Sequence, residues 1–407
     1  MSRIDQLMAE MAPRGVEVKS LGDIAELVRG NGMPKSDLTC EGVGAIHYGQ
    51  IYTHYGTWTT STISFVEPGT ARRLSKAHQG DIIITNTSEN LDDVCKAVAW
   101  LGPKSIVTGG HATVIRHDQD PKYLSYWFQS QAFYRQKKAL ATGTKVIDVS
   151  SRQLAKVRIP IPPIEVQREI VRILDTFTEL EAELEAELEA RKSQYDYHRD
   201  QLLTFPASVK RVPLGEFGTF MRGRRFTKAD VDNEGIPSIH YGDIYTRYGV
   251  STSNAALKVR ADMVAQLRFA QPGDVIFAGV GETVEDVGKA VAWLGTRPVA
   301  IHDDTFAFTS HANPKYVAYS VLTNDFQAQK GSHVARGKVK RLSSAGLAKI
   351  VVPLPSRQEQ DRIVEILDNF DALVNDLSIG LPAELNARRK QYEYYRDKLL
   401  TFKELPA

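Results

Sequence analysis

AIHYGQIYTHYG at 45–56 returns as SIHYGDIYTRYG at 238–249, nine of the twelve positions identical and 193 residues on. The same separation relates CKAVAWLG (95–102) to GKAVAWLG (288–295), DPKY (120–123) to NPKY (313–316), and IVRILDTF (170–177) to IVEILDNF (363–370). One offset held over that length means that two copies of a single fold follow one another along the chain. Only later does it change: ARKSQYDYHRDQLLTF (190–205) matches ARRKQYEYYRDKLLTF (387–402) at a separation of 197, a four-residue difference arising between Phe177 and Ala190.

Working outward, each copy divides into a mixed head and a helix. The heads are residues 16–158 and 207–351, after an N-terminal helical segment, 1–15. GDIIIT (80–85) and GDVIFA (273–278) follow a Gly-Asp turn signal and read as short buried strands. DPKY and NPKY read as helix starts, with Asp120 or Asn313 as N-cap and proline in the first turn. Proline-rich linkers, IPIPP (159–163) and VPLPS (352–356), then stop a strand and open linker-plus-helix segments at 159–206 and 352–403. Ser356 with Glu359 has the spacing of a capping box.

Apolar residues recur at helical spacing as Ile170, Ile173, Leu174, Phe177, Leu180, Leu184 and Leu188, matched by Ile363, Ile366, Leu367, Phe370, Leu373 and Leu377. Helices of about 40 residues, about 60 Å long, cannot leave such a stripe in water. The economical solution packs them against each other, antiparallel, with the heads related by a pseudo-two-fold axis. Gly380-Leu381-Pro382 is expected to kink or break the second helix. The fold class is therefore α+β: two similar mixed α/β domains joined by two long helices in an antiparallel coiled coil.

The net charge of +2 conceals a segregation: TELEAELEAELE (178–189) holds six glutamates and no base, so the rest sums to +8. Basic residues cluster in MRGRRF and ARGKVKRL, as patches facing a polyanion would. The N-terminus has no apolar core of signal-peptide length, and no run of about 18 apolar residues occurs, so a cytoplasmic protein without membrane contact is expected. Cys40 and Cys95 lack metal-ligand spacing and read as reduced thiols.

Head, proline linker and a helix ending in QYDYHRDQLLTF or QYEYYRDKLLTF, all written twice, resemble the specificity subunits of type I restriction–modification enzymes. PPIEVQREIVRILDTF, RQEQDRIVEILDNFDAL and the Glu-Ala-Glu-Leu repeats are the most specific markers, and the resemblance covers essentially the whole chain. It implies that each head is a target recognition domain reading one half of a bipartite site in double-stranded DNA. The helices would be spacers that also dock two methyltransferase subunits. S-adenosylmethionine would be bound by those partners and not by this chain, and cleavage would belong to motor–nuclease subunits.

Chemistry of the chain's own is not found. GETVEDVGKA (281–290) mimics a phosphate loop, but Thr283 and Ala290 stand where glycine and Ser/Thr are required. NPKY lacks the second proline of an amino-methyltransferase motif, and helix capping explains it together with DPKY. The His-Tyr pairs lack partners for a metal or a nucleophile. A protein-binding adaptor is the competing reading; a self-sufficient methyltransferase would need a cofactor loop.

Three segments per head carry side chains able to reach bases or phosphates. The first is the glycine turn, Arg29, Asn31 and Lys35 against Arg222, Arg224, Arg225 and Lys228. The second is the His-Tyr segment, His47, Tyr48, Gln50, Tyr52, His54 and Tyr55 against His240, Tyr241, Asp243, Tyr245, Arg247 and Tyr248, about half of them expected to be buried. Positions 50/243 and 54/247 differ between copies, as exposed readers would. The third is a late loop, Thr142, Thr144 and Lys145 against Arg336, Lys338 and Lys340, better suited to backbone contact.

Overall fold

The computed structural model describes residues 3–375 and 380–406; Leu377 of the expected stripe lies outside the described residues. The chain forms two compact units, Met1–Glu183 with Asn386–Ala407, and Leu184–Leu385.

In the first unit a five-stranded sheet runs in the order Ala25–Arg29, Ala112–His117, Ile82–Thr85, Ala97–Trp100, Trp58–Thr59. A second five-stranded sheet orders Leu38–Thr39, Ser64–Val66, Val43–Ile46, Ile106–Thr108, Ser75–Ala77. GDIIIT is central in the first sheet because Ile82, Ile83 and Ile84 are all fully buried. Alternation sends Ile82 and Ile84 into the cluster that holds Ile170 and Leu174 of the long helix, and Ile83 into the opposite cluster with Ile46 and Trp100. Both faces of the strand are thus covered, which is why its sequence reads as a continuous apolar run.

The second unit repeats the first sheet strand for strand: Gly218–Arg222, Thr305–Ser310, Val275–Ala278, Ala290–Trp293, Ser251–Thr252. Its other large sheet has four strands, Leu257–Val259, Val231–Ile239, Val299–Ile301 and Phe269–Ala270.

The DPKY and NPKY tetrapeptides fix each head to its helix. Asp120 and Asn313 cap their helices by accepting from the amides of Lys122 and Tyr123, and of Lys315 and Tyr316. Lys122 reaches Asp175, and Lys315 reaches Asp368, each at 2.7 Å. Tyr123 and Tyr316 donate to the linker carbonyls of Pro160 and Pro353. The motif is structural in both copies.

The first long helix runs Ile164–Leu202 without interruption, whereas the second is described as Arg357–Asn375 and Gly380–Leu399. Gly380 has φ +75°, and Pro382 sits in the first turn of the later helix, where its missing N–H costs nothing. In the first unit Phe177 stacks on Tyr395 (5.7 Å) while Glu181 pairs with Arg389 (2.6 Å), so the two helix segments run antiparallel. In the second, Tyr195 bonds Asp371 (3.2 Å) and His198 stacks on Phe370 (5.9 Å), again antiparallel.

Two details depart from the sequence reading. Leu180 and Leu373 are exposed (45% and 43%), because at about 100° per residue they lie about 120° round the helix from Leu174 and Leu367, beyond the buried stripe. Ser356 does accept from the Glu359 amide, but the Glu359 carboxylate turns to Arg362 (2.6 Å), leaving the capping box half made. Among the described residues no helix is long and apolar enough to cross a membrane.

Candidate nucleic-acid interface

Strand direction brings the first two candidate segments together. Val43–Ile46 lies parallel to Ile106–Thr108 (Ala45 opposite Val107, Ile46 opposite Thr108), and Val231–Ile239 lies parallel to Val299–Ile301. Parallel neighbours leave a sheet at the same edge, where open α/β sheets hold ligands. The His-Tyr segment therefore starts beside the loop that follows the neighbouring strand: Gly109, Gly110 and His111 in one head, His302, Asp303 and Asp304 in the other.

That loop meets the glycine turn and the His-Tyr segment in both heads, and the late hairpin directly in the second head and by way of Thr87 in the first. In the first head Asn31 bridges to Gly109, and the Tyr48 ring lies 4.8 Å from His111. His111 Nδ1 and Thr87 Oγ1 are 2.9 Å apart, and Thr87 pairs with Asp148 at the base of the Thr142–Val146 hairpin. In the second head Arg222 Nε donates to the Asp303 carbonyl (2.6 Å), the His240 ring lies 4.4 Å from His302, and Arg341, beside Lys340 in the hairpin, reaches Asp304 (3.3 Å). Sequence reading missed this loop because its residues match no motif and differ at every position between the copies.

Within the His-Tyr segment much of the polar capacity is committed. His47 and His240 cap the short helices Tyr48–Thr53 and Tyr241–Thr246, accepting at Nδ1 from Gly49 and Gly242. Burial pushes both imidazoles below their ordinary range, so they are neutral acceptors at neutral pH. Gln50 and Asp243 close the capping boxes by accepting from the His47 and His240 amides, a task either side chain performs. Their difference between copies therefore does not require exposure. Tyr52 donates to the Thr87 carbonyl and Tyr245 to that of Val280, while Tyr55 and Tyr248 accept from the amides of Ile63 and Ala256. Burial pushes Tyr52 up to about 12 and raises the other three as well. Only His47 of the twelve is fully buried; most are half-buried, and His54 and Arg247 are exposed, Arg247 in an ion pair with Asp243 at 3.3 Å.

In the glycine turn Arg29, Asn31, Lys35, Arg222, Arg224, Arg225 and Lys228 are all exposed. Asn31 donates to the Arg73 carbonyl. Gly223 is obligatory: a Cβ there would stand 2.2 Å from the His302 carbonyl oxygen. The late segment is a hairpin in both heads, with Thr142, Thr144, Lys145 and Lys338 exposed and Lys340 donating back to Gly337. Val146 and Val339 (57% and 44% exposed) occupy equivalent hairpin positions beside the lysines. The Arg336 side chain lies outside the described residues.

His302, Asp303 and Asp304 bring potential ligand atoms within 4.8 Å of one another. They do not make a metal site. His302 Nδ1 accepts the Asp304 amide, Nε2 faces the Phe226 carbonyl at 3.1 Å, and Asp304 is held by Arg341.

The family model for the type I restriction modification DNA specificity domain matches twice, at residues 13–190 and 206–387. The chain belongs to this family. It is 35% identical over 293 residues to the EcoR124I/EcoR124II specificity subunit of Escherichia coli, covering 69% of this chain and 70% of that one. It is 30% identical over 269 residues to a putative type I restriction enzyme specificity subunit of Haemophilus influenzae, covering 64% and 68%. A chain in a solved structure of a type I restriction–modification system superposes with a TM-score of 0.66 over 95% of this chain and 98% of that chain. At 17% identity this likeness speaks for the fold alone. The protein is a type I DNA specificity subunit with two recognition domains.

Proposed function

We propose that each head reads one half of a bipartite duplex site through the face formed by its glycine turn, His-Tyr segment and hairpin around the central loop. The convergence of those three segments in both heads carries this reading. The chain supplies no catalytic group: S-adenosylmethionine belongs to two methyltransferase subunits docked on the helices, and cleavage to motor–nuclease subunits, in the cytoplasm. Exposed apolar residues recurring at matched helix positions, Leu180 with Leu373 and Tyr197 with Tyr394, support paired docking of identical partners.

Duplex binding by the full chain with its modification subunits tests this. Affinity should fall linearly in log–log plots against salt and favour one bipartite sequence. Binding without salt dependence, or methyl transfer by the chain alone, would refute it.

A further inference from the structure

Resting on the DNA-recognition reading above, we infer that the loop at 109–111 and 302–304 is a specificity-determining element, the side chains of His111 and Asp303 reading base edges in their respective half-sites. The frame around it is the same in both heads. It follows buried strands, Ile106–Thr108 or Val299–Ile301, and precedes buried residues Ala112 or Thr305. Its contents are not: Gly-Gly-His in one copy and His-Asp-Asp in the other. A constant frame carrying variable residues, at the meeting point of three polar segments, is how loops on a rigid scaffold carry recognition.

The chemistry of the three residues supports this placement. His111 is exposed, and its Nδ1 is fixed by Thr87, which leaves Nε2 as the nitrogen available to a base edge. Asp303 is half-buried beside Arg222, with Arg224 and Arg225 exposed in the same turn. A carboxylate in a basic, phosphate-facing surface repels the backbone it approaches. It is favourable where it accepts from a base amino group, such as cytosine N4. Gly110, the counterpart of Asp303, offers the first head no such acceptor. The two half-sites should therefore differ beneath this loop, with an amino-bearing base opposite Asp303.

The test selects bipartite sites from a randomised duplex library with the full chain and its modification subunits, comparing the parent with His111→Asp, Asp303→Gly and the near-isosteric Asp303→Asn. Thermal unfolding of each variant checks its fold. Each variant should lose selectivity about tenfold or more at one position of one half-site, the other half-site staying as in the parent. Unchanged preferences, or equal loss on every duplex by a normally folded variant, would overturn the loop assignment while leaving the DNA-recognition reading intact. A parent that selects no bipartite site would overturn both.

Discussion

The Val16 amide donates to the Lys403 carbonyl at 2.8 Å, and the equivalent bond in the second unit, Val209 to Pro206, measures 3.0 Å. In the second unit the two residues are three apart in the chain; in the first they come from opposite ends of it. The same junction is thus made once covalently and once by docking, reinforced by Leu405 donating back to Val16 and by an Arg158–Glu404 ion pair at 2.9 Å.

Gly15 adjoins this junction at φ +121°, and a Cβ on it would stand 2.7 Å from the Lys403 oxygen. Gly15→Ala should destabilise the first unit by about 1–3 kcal/mol and speed proteolysis at 403–406. Unaltered proteolysis would show that the docked segment tolerates the change.

Cys95 has φ +62°, and its counterpart Gly288 has φ +85°. A Cβ at Gly288 would lie 2.9 Å from Leu342 Cδ2, whereas the residue equivalent to Leu342 in the first head is the smaller Val149. Gly288→Cys should cost about 1–3 kcal/mol, and Leu342→Val should recover part of that in a double-mutant cycle. Additive effects would mean that the two positions are not coupled.

Lys330 is fully buried, donating to the Glu285 carbonyl, and burial pushes its ammonium down to about 8. The unfolded chain holds this proton up to about pH 10.4 and so binds more protons between about pH 8 and 10. Stability of the second unit should therefore rise with pH across that window, by on the order of 1 kcal/mol, and the rise should vanish in Lys330→Met. Denaturant midpoints at pH 7.5, 8.5 and 9.5 measure it; a fall in both proteins would contradict the assignment.

Arg224 is exposed next to the central loop, its amide held by the Ile301 carbonyl at 3.0 Å. Arg224→Ala should weaken recognition of one half-site by about 1–3 kcal/mol if its guanidinium reads a base. Uniform loss on all duplexes with a shallower salt slope would instead assign it to phosphate.

The Glu-Ala-Glu-Leu repeats lie within the unbroken helix Ile164–Leu202. Four residues turn a helix by slightly more than one revolution and add about 6 Å. Deleting Glu185–Leu188 should keep both half-site sequences and shorten the preferred spacer by about one or two base pairs, at about 3.4 Å each. Methylation mapping that finds the spacer unchanged at full activity would end the ruler idea.

The sequence by itself determined the duplication, the buried central strands, the N-caps at Asp120 and Asn313, and the two helical stretches. These depend on periodicity and on bonds between residues a few positions apart, so they are written locally. Tertiary structure alone decided that the Tyr52 hydroxyl is spent on the Thr87 carbonyl and that Lys122 pairs with Asp175 of the long helix. Likewise it alone decided that residues 403–405 dock on Val16 and that the loop at 109–111 gathers three segments. Each of these depends on which strands or helices become neighbours. The parallel pairing of Val43–Ile46 with Ile106–Thr108, far apart in the chain, sets His111 against Tyr48, and no local pattern encodes that proximity.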